Sequence, residues 1–249
     1  MAVLNLRPLA GGRILRGSQP FGLDAAATSG FLAEHGIQAI VDLRSELERS
    51  LVPWLIPGHD AVRDHKVHDG GARPAAVVPA AVAPPVVELV NNPLDPNAIA
   101  GSLHAVETPE DLGELYLGWI KLRPEWVADA LRPVARGKRT LVHCSLGKDR
   151  TGVVSAIALL AGGGSEDAVV EDYTATTLSL PTMLAVMAET WRLHVPSTPA
   201  AYFSPELMVL QSPEAAMRHF LAAFAEEFGD ARSFLREGGL TAVEVEALR

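Results

Sequence analysis

The chain has 249 residues, of which 48% are hydrophobic and 20% are charged, a composition typical of one large globular domain or two small ones. Its formal net charge of -9 provides no basic surface of the kind that nucleic-acid-binding proteins carry, so no nucleic-acid partner is expected. The single cysteine, Cys144, excludes an intramolecular disulfide and indicates a reducing compartment.

No internal repeat and no linker divides the sequence, so we predict a single domain over residues 1–249. The amino terminus lacks the charged and long apolar stretches of a signal peptide. No uninterrupted apolar run approaches the ~20 residues that a membrane-spanning helix needs. We therefore expect a cytoplasmic protein with no integral membrane segment, and secretion without a signal peptide stays open as an alternative.

The first part of the chain has the pattern of a strand, a helix and a second strand. Residues 13–20 predict a short strand that ends in a turn, and residues 37–43 are apolar enough for a buried strand. Between them, Asp24 caps a predicted helix over residues 25–35, and Gly36 ends it. This order of elements is typical of the start of a largely parallel sheet.

Two charged side chains lie at the carboxyl end of the second predicted strand, where α/β sheets place their ligand sites. In one interpretation, Arg44 helps to shape an anion pocket at this edge. In the other, which we prefer, Asp42 and Arg44 form an ion pair that fixes the following turn.

The next stretch shows little regular pattern. Residues 62–69 alternate loosely in polarity and are compatible with an edge strand that ends at Asp69. Residues 70–106 are rich in Ala, Val and Pro, and their prolines break any long helix. Because loops of this length are usually functional covers or disordered, we predict a mobile lid insertion over residues 70–106. Within it, we interpret residues 86–90 as one helical turn.

Helices are predicted for most of the remaining chain. Thr108 and Pro109 are the residues favoured at the start of a helix, and the apolar spacing that follows continues to Leu122. A second helix is predicted over residues 126–135. Residues 165–249 form a helical C-terminal part of the same domain, with amphipathic helices over residues 181–194, 213–228 and 241–248.

Residues 139–161 differ from this helical pattern. They begin with a short buried strand over residues 140–142 and end with a helix over residues 153–161 that is apolar on every face. A loop that turns from strand into helix points its backbone N–H groups inward, and the helix N-terminus adds partial positive charge. Such a nest suits a phosphate dianion, and Arg150 can add a bidentate fork to two of its oxygens.

The same loop holds the only thiol of the chain. Its positive field favours the thiolate form of Cys144, which is the nucleophilic form, and a thiolate beneath a bound phosphoryl group can attack the phosphorus. Gly147 permits a tight turn close to the ligand, and the hydroxyl of Thr151 is placed to hydrogen-bond the sulfur. The loop is therefore predicted both to bind a phosphate and to attack it.

Residues 143–152, with the sequence HCSLGKDRTG, resemble the active-site signature of the cysteine-dependent protein tyrosine phosphatases. The GKDRTG version is similar to that of a bacterial group, the PtpB-like tyrosine phosphatases, whose members can also accept phosphoinositides. Shorter similarities are RGS at residues 16–18, VDLRS at residues 41–45 and FLREGGL at residues 234–240. The resemblance implies a three-layer α/β phosphatase fold, in which helices flank a mostly parallel central sheet and a lid is inserted.

The resemblance also implies roles for the residues of this loop. Cys144 would form a phosphocysteine, and Arg150 would hold the phosphate oxygens together with the loop N–H groups. His143 would steady the loop by bonding nearby backbone. The predicted phosphate-binding set is Ser145, Leu146, Gly147, Lys148, Asp149, Arg150, Thr151 and Arg44.

A tyrosine phosphatase needs a general acid, because a phenolate, with a pKa of ~10, leaves poorly without a proton. Asp69 is the first candidate, since it stands where this family carries an aspartate before its lid. Asp149 is the second. Lys148 either supplies a second cation, which would favour substrates with more than one phosphate, or neutralises Asp149.

The expected reaction is hydrolysis of phosphotyrosine in a protein, with dual specificity as an extension and inorganic phosphate as product. The alternatives are a phosphoinositide phosphatase, a non-catalytic phosphate-binding module, and a sulfurtransferase or arsenate reductase, which also place a cysteine in an anion nest. No second His or Cys stands at ligand spacing from His143, so we expect no metal and no other cofactor.

Overall fold

The structure is a computed structural model, and it describes residues 2–9, 11–57, 87–94 and 106–249. The predicted edge strand that ends at Asp69, and most of the predicted lid, lie outside the described residues.

A five-stranded sheet forms the centre of the described structure, in the order β1-β2-β5-β3-β4. The strands are β1 (Arg7–Pro8), β2 (Ile14–Gly17), β3 (Ala39–Asp42), β4 (Glu88–Asn91) and β5 (Thr140–His143). Only β1 pairs antiparallel, with β2; the other pairs are parallel. Because Gly17 and Asp42 both pair with His143, the carboxyl ends of the three central strands meet at one edge.

Helices account for most of the remaining described chain. They are α1 (Ala25–Glu34), α2 (Glu46–Leu51), α3 (Pro109–Leu122), α4 (Glu125–Ala135), α5 (Asp149–Ala161), α6 (Glu166–Thr174), α7 (Leu180–His194), α8 (Glu214–Phe228), α9 (Ala231–Glu237) and α10 (Ala242–Glu246). Short 3₁₀ turns cover Ala175–Leu178, Ala200–Phe203 and Met208–Leu210. The predicted caps are confirmed, since Asp24 accepts from Ala27 N–H and Thr108 forms a capping box with Asp111. Within the described residues, we find no helix with the length and apolar character of a membrane span.

Successive side chains of the central strands point to opposite faces of the sheet, and each face carries its own apolar core. Leu141 and Ile40 pack with residues of α1, such as Leu32. Val142 and Val41 belong to a larger core that includes side chains from α3, α4, α5, α6, α8 and α9. The prediction of a mostly parallel sheet flanked by helices on both faces is therefore confirmed.

The prediction of a helical turn over residues 86–90 is wrong. Glu88–Asn91 is strand β4, which pairs with β3 in the register Ala39 to Glu88. The segment lies between Pro85 and Pro93, which leaves too few residues for a stable helix. The edge of β3 supplies backbone partners that a single helical turn could not provide.

Candidate active site

The site is built around the loop between β5 and α5, which runs from Cys144 to Lys148. Gly147 makes its turn with φ +67, a left-handed conformation that favours glycine. A Cβ at Gly147 would lie only 2.2 Å from the carbonyl oxygen of Gly17. The loop is therefore pressed against the end of β2, and its shape depends on glycine at this position.

Side chains behind the loop donate hydrogen bonds to its carbonyl groups. The Gly147 carbonyl accepts from Arg16 Nη2 at 2.7 Å and from Asn5 Nδ2 at 3.1 Å. Arg16 is fully buried and is held in turn by Asp172, which also pairs with Arg7. No described residue accepts a hydrogen bond from the backbone N–H groups of residues 145–148. Among the described residues, the loop's carbonyl groups therefore have hydrogen-bond partners and its N–H groups over residues 145–148 have none.

Cys144 and Arg150 share the floor of a cavity of about 550 Å³, which Ser145 and Asp149 also line. Cys144 is the only cysteine of the chain and is 3% exposed. Its sulfur therefore has little contact with bulk water, while its residue forms part of the cavity surface. A thiol and a guanidinium therefore line the same cavity.

His143 is held in one tautomer by its two partners. Trp54 Nε1–H donates to His143 Nε2 at 2.8 Å, so the ring's proton is on Nδ1 and is donated to the Cys144 carbonyl at 3.0 Å. Burial lowers the pKa of His143 to about 4, although the nearby Asp42 carboxylate acts in the opposite direction. The imidazole is therefore neutral at pH 7 and steadies the backbone beside the sulfur.

Glu48 forms a bidentate ion pair with Arg150, which the sequence analysis did not predict. Arg150 Nη1 lies 2.7 Å from Oε2 and Nη2 lies 2.6 Å from Oε1, and Ser145 Oγ also donates to this carboxylate. Burial alone would raise the pKa of Glu48, but the charge of Arg150 and the hydrogen bonds from Arg150 and Ser145 lower it to about 2. Arg150 Nε has no hydrogen-bond partner among the described residues, so this N–H is available to a ligand, while Nη1 and Nη2 are both bonded to Glu48.

A family model described as "Tyrosine phosphatase family" matches residues 4–249. The chain belongs to the tyrosine phosphatase family. It is also similar to the triple specificity protein phosphatase PtpB of Mycobacterium tuberculosis, with 30% identity over 122 residues. That match covers 47% of this chain and 44% of the relative, so the chain spans less than half the length of the curated relative that it matches.

Arg44 lies away from the cavity of this tyrosine phosphatase family member, so its predicted contact with phosphate is not supported. It is fully buried and donates to both oxygens of Asp42, from Nε at 2.9 Å and from Nη2 at 2.6 Å. Nη1 bonds Gln19 Oε1 and the Val52 carbonyl. The geometry corresponds to the preferred interpretation, an Asp42–Arg44 pair that fixes the turn into α2.

Lys148 is likewise turned away from the cavity. Its ammonium group donates to the Val209 carbonyl at 2.9 Å and the Gln211 carbonyl at 2.5 Å, and it lies 2.7 Å from Asp149 Oδ1. Its side chain is 0% exposed. Of its two predicted roles, the contacts match neutralisation of Asp149.

The remaining predicted site residues differ in placement. Thr151 is fully buried and its hydroxyl has no hydrogen-bond partner among the described residues, so a bond to the sulfur is not observed. Asp149 reaches the cavity, whereas Asp69 lies outside the described residues. Leu146 and Ser145 both line the cavity. In the described part of the chain, no group of three or more His, Cys, Asp or Glu is arranged to hold a metal ion.

The upper walls of the cavity come from α7 and the segment that follows it. They are largely apolar and include Leu184, Met187, Trp191, Tyr202, Phe203 and Leu210. Arg150 is the one cationic side chain among the described residues that line this cavity.

Proposed function

We propose that the protein hydrolyses phosphotyrosine in proteins through a phosphocysteine intermediate on Cys144. The observation that carries this proposal is that Cys144, Ser145, Leu146 and Arg150 line one cavity. The backbone N–H groups of residues 145–148 in the same loop have no hydrogen-bond partner among the described residues. Amide donors that point at one place form an anion site, and a guanidinium adds charge-assisted bonds.

In the first step, the Cys144 sulfur attacks phosphorus and forms an S–P bond as the P–O bond to the tyrosine breaks. Asp149, or Asp69 if it approaches the cavity, gives its proton to the departing phenolic oxygen. In the second step, water attacks phosphorus, the S–P bond breaks and the thiolate is restored with inorganic phosphate as product. Arg150 stabilises the equatorial oxygens in both steps, and Glu48 holds Arg150 in position for this.

The walls favour an aryl phosphate over smaller or more highly charged substrates. Trp191, Tyr202 and Phe203 offer ring surface to a phenyl group. The phosphoinositide alternative depended on Lys148 as a second cation, and the contacts of Lys148 are already made with Asp149 and two carbonyl groups. Phosphotyrosine is therefore the preferred substrate class.

The proposal predicts distinct effects for two changes in the loop. Cys144→Ser is expected to abolish phosphate release from a phosphotyrosine peptide and to retain phosphate binding, because the N–H groups and Arg150 remain. Arg150→Lys cannot keep the bidentate pair with Glu48 and also offer an N–H to the phosphate, so it is expected to lower kcat/KM by ~10²–10³. Phosphate release from the peptide measures turnover, and isothermal titration calorimetry measures phosphate binding.

Arg218→Lys is the matched control, since Arg218 is exposed on α8 and pairs with Glu214 and Asp167; its activity should stay at the wild-type level. A panel of phosphotyrosine, phosphoserine and phosphoinositide substrates tests the substrate class. Turnover by Cys144→Ser, or no phosphate release from any substrate by the wild type, would contradict the proposed function. Faster release from the phosphoinositide would contradict the proposed substrate.

A further inference from the structure

Two buried tyrosines form a hydrogen-bonded chain that ends on Asp149. The hydroxyl of Tyr116, in α3, lies 2.5 Å from Asp149 Oδ1 and 2.8 Å from the hydroxyl of Tyr173, in α6. Both tyrosines are almost completely buried. Buried phenol hydroxyls usually satisfy one another or the backbone, whereas this pair is directed at a carboxylate that lines the catalytic cavity.

The direction of each bond in the chain follows from the number of protons. Burial, and after it the charge of Asp149, raises the pKa of Tyr116 and of Tyr173 well above the ordinary value for tyrosine. Both phenols therefore keep their protons. A phenol has one hydrogen to donate. If Tyr116 donates its hydrogen to Asp149, the bond between the two hydroxyls must use the hydrogen of Tyr173.

Two donors therefore converge on a single oxygen of Asp149. Lys148 Nζ lies 2.7 Å from Oδ1, the same oxygen that accepts from Tyr116. Oδ2 has no hydrogen-bond partner among the described residues. Asp149 is paired with Lys148 in the free site. Because Oδ1 is already occupied as an acceptor, the proton that Asp149 takes up when a phosphate dianion binds beside it goes to Oδ2.

We propose that Tyr116 is a positioning residue that fixes the Asp149 carboxyl group, so that Oδ2 carries the proton given to the leaving oxygen, and that Tyr173 fixes Tyr116. This inference rests on the proposed function and deepens it, because it assigns the general acid and the residues that orient it. Tyr116 and Tyr173 do not touch the substrate; they act through Asp149.

The surroundings of the pair make its position rigid. The ring of Tyr116 packs against Trp119 and Phe220, with ring centroids 5.4 Å and 6.2 Å away. Gly152 in α5 brings the helix close to Tyr173, since a Cβ there would lie 3.2 Å from its ring. Residues of α3, α5, α6 and α8 therefore surround the two hydroxyls, and Asp149 itself is the first residue of α5.

Tyr116→Phe removes the donor to Asp149 and keeps the ring. The test compares kcat/KM for phenyl phosphate with kcat/KM for 4-nitrophenyl phosphate, whose leaving group is a weaker base and needs less help from an acid. The constant kcat/KM reports the step in which the ester bond breaks. We therefore expect the ratio of kcat/KM for phenyl phosphate to kcat/KM for 4-nitrophenyl phosphate to fall about tenfold in Tyr116→Phe. This is part of the ~10²–10⁴ that general acid catalysis contributes. Tyr173→Phe should lower the ratio in the same direction by about threefold.

Phe234→Leu is the control for loosened packing. Phe234 is buried in α9 against Phe224 and Phe228, away from both tyrosines. This variant should melt at a lower temperature than the wild type and keep the wild-type ratio.

An unchanged ratio in folded Tyr116→Phe would overturn the inference while leaving the proposed function intact, since Cys144→Ser and wild-type turnover test the latter separately. If Tyr116→Phe does not fold, the ratio in Tyr173→Phe decides in the same way. A ratio that falls equally in Phe234→Leu would also overturn the inference.

Discussion

At the scale of single residues, Glu48 was the least predictable part of the site. Its carboxylate takes two donors from Arg150 and one from Ser145, and it also closes the capping box of α2 with Ser45. One side chain therefore joins the start of a short helix to the loop that holds Cys144 and to Arg150. The predicted consequence is that catalysis depends on a residue that need not contact the substrate.

Glu48→Gln keeps the size of this side chain but replaces one acceptor oxygen with an NH₂ group that faces the guanidinium. We expect kcat/KM for 4-nitrophenyl phosphate to fall about 10- to 100-fold, because Arg150 loses its fixed orientation. Glu46→Gln, an exposed change in the same helix, is the matched control and should retain wild-type activity. Equal activity of the two variants would show that Arg150 does not need this partner.

At the scale of secondary-structure elements, α3 packs so closely on α8 at Gly113 that alanine at this helical position should destabilise the protein. A Cβ at Gly113 would lie 2.8 Å from the Ala216 carbonyl and 3.0 Å from His219 Cδ2. Gly→Ala usually stabilises a helix by roughly 0.5–1 kcal/mol. At Gly113 the two helices would have to separate, at a cost of about 1–3 kcal/mol.

We therefore expect Gly113→Ala to lower the free energy of unfolding, measured by urea denaturation. Gly30→Ala is the opposite case, since Gly30 lies within α1 and a Cβ there meets nothing within 4 Å. That variant should be more stable than the wild type. Two stabilised variants would mean that α3 and α8 are not packed at this distance.

The elements that could be predicted from the sequence are those with local signals. The cap at Thr108, the cap at Asp24 and the apolar run of α5 lie within a few residues of the helices that they specify. Helix α2 was missed because its six residues bury no side chain fully. Strand β4 was mistaken for a helical turn because its partner, β3, is remote in sequence.

The same distinction holds for the candidate site. The placement of Cys144 and Arg150 at one cavity could be predicted because their spacing within one short segment is distinctive. Glu48 lies 102 positions from its partner Arg150, and Tyr116 lies 33 positions from its partner Asp149. No local sequence pattern indicates either contact. Arg44 was ambiguous for the same reason, since its partners Asp42 and Gln19 become evident only in the folded chain.

At the scale of the whole molecule, the buried neutral His143 links stability to pH. Its pKa is lowered from 6.5 to about 4 in the folded protein. Between these values the unfolded chain binds a proton that the folded chain does not, so stability falls as pH decreases. At pH 5 this amounts to a loss of about 2 kcal/mol relative to pH 7.

His143→Asn tests this linkage, because Asn can also donate to the Cys144 carbonyl and does not titrate. Urea unfolding at pH 7 and pH 5 should give a smaller difference for the variant than for the wild type. The pKa of Glu48 is lowered from 4.5 to about 2, so protonation of Glu48 should lower the free energy of unfolding of both proteins only below about pH 5. An equal loss between pH 7 and pH 5 would rule out the assigned state of His143.

The bonds behind the catalytic loop have a consequence for how the enzyme is made. Asn5 and Arg16 leave the ribosome early, whereas the Val209 and Gln211 carbonyls that receive Lys148 emerge late. Synthesis proceeds from the amino terminus, so Cys144 is made before the residues that hold Lys148. The newly synthesised chain therefore passes through a period in which Cys144 is present but the contacts that shape its loop have not formed.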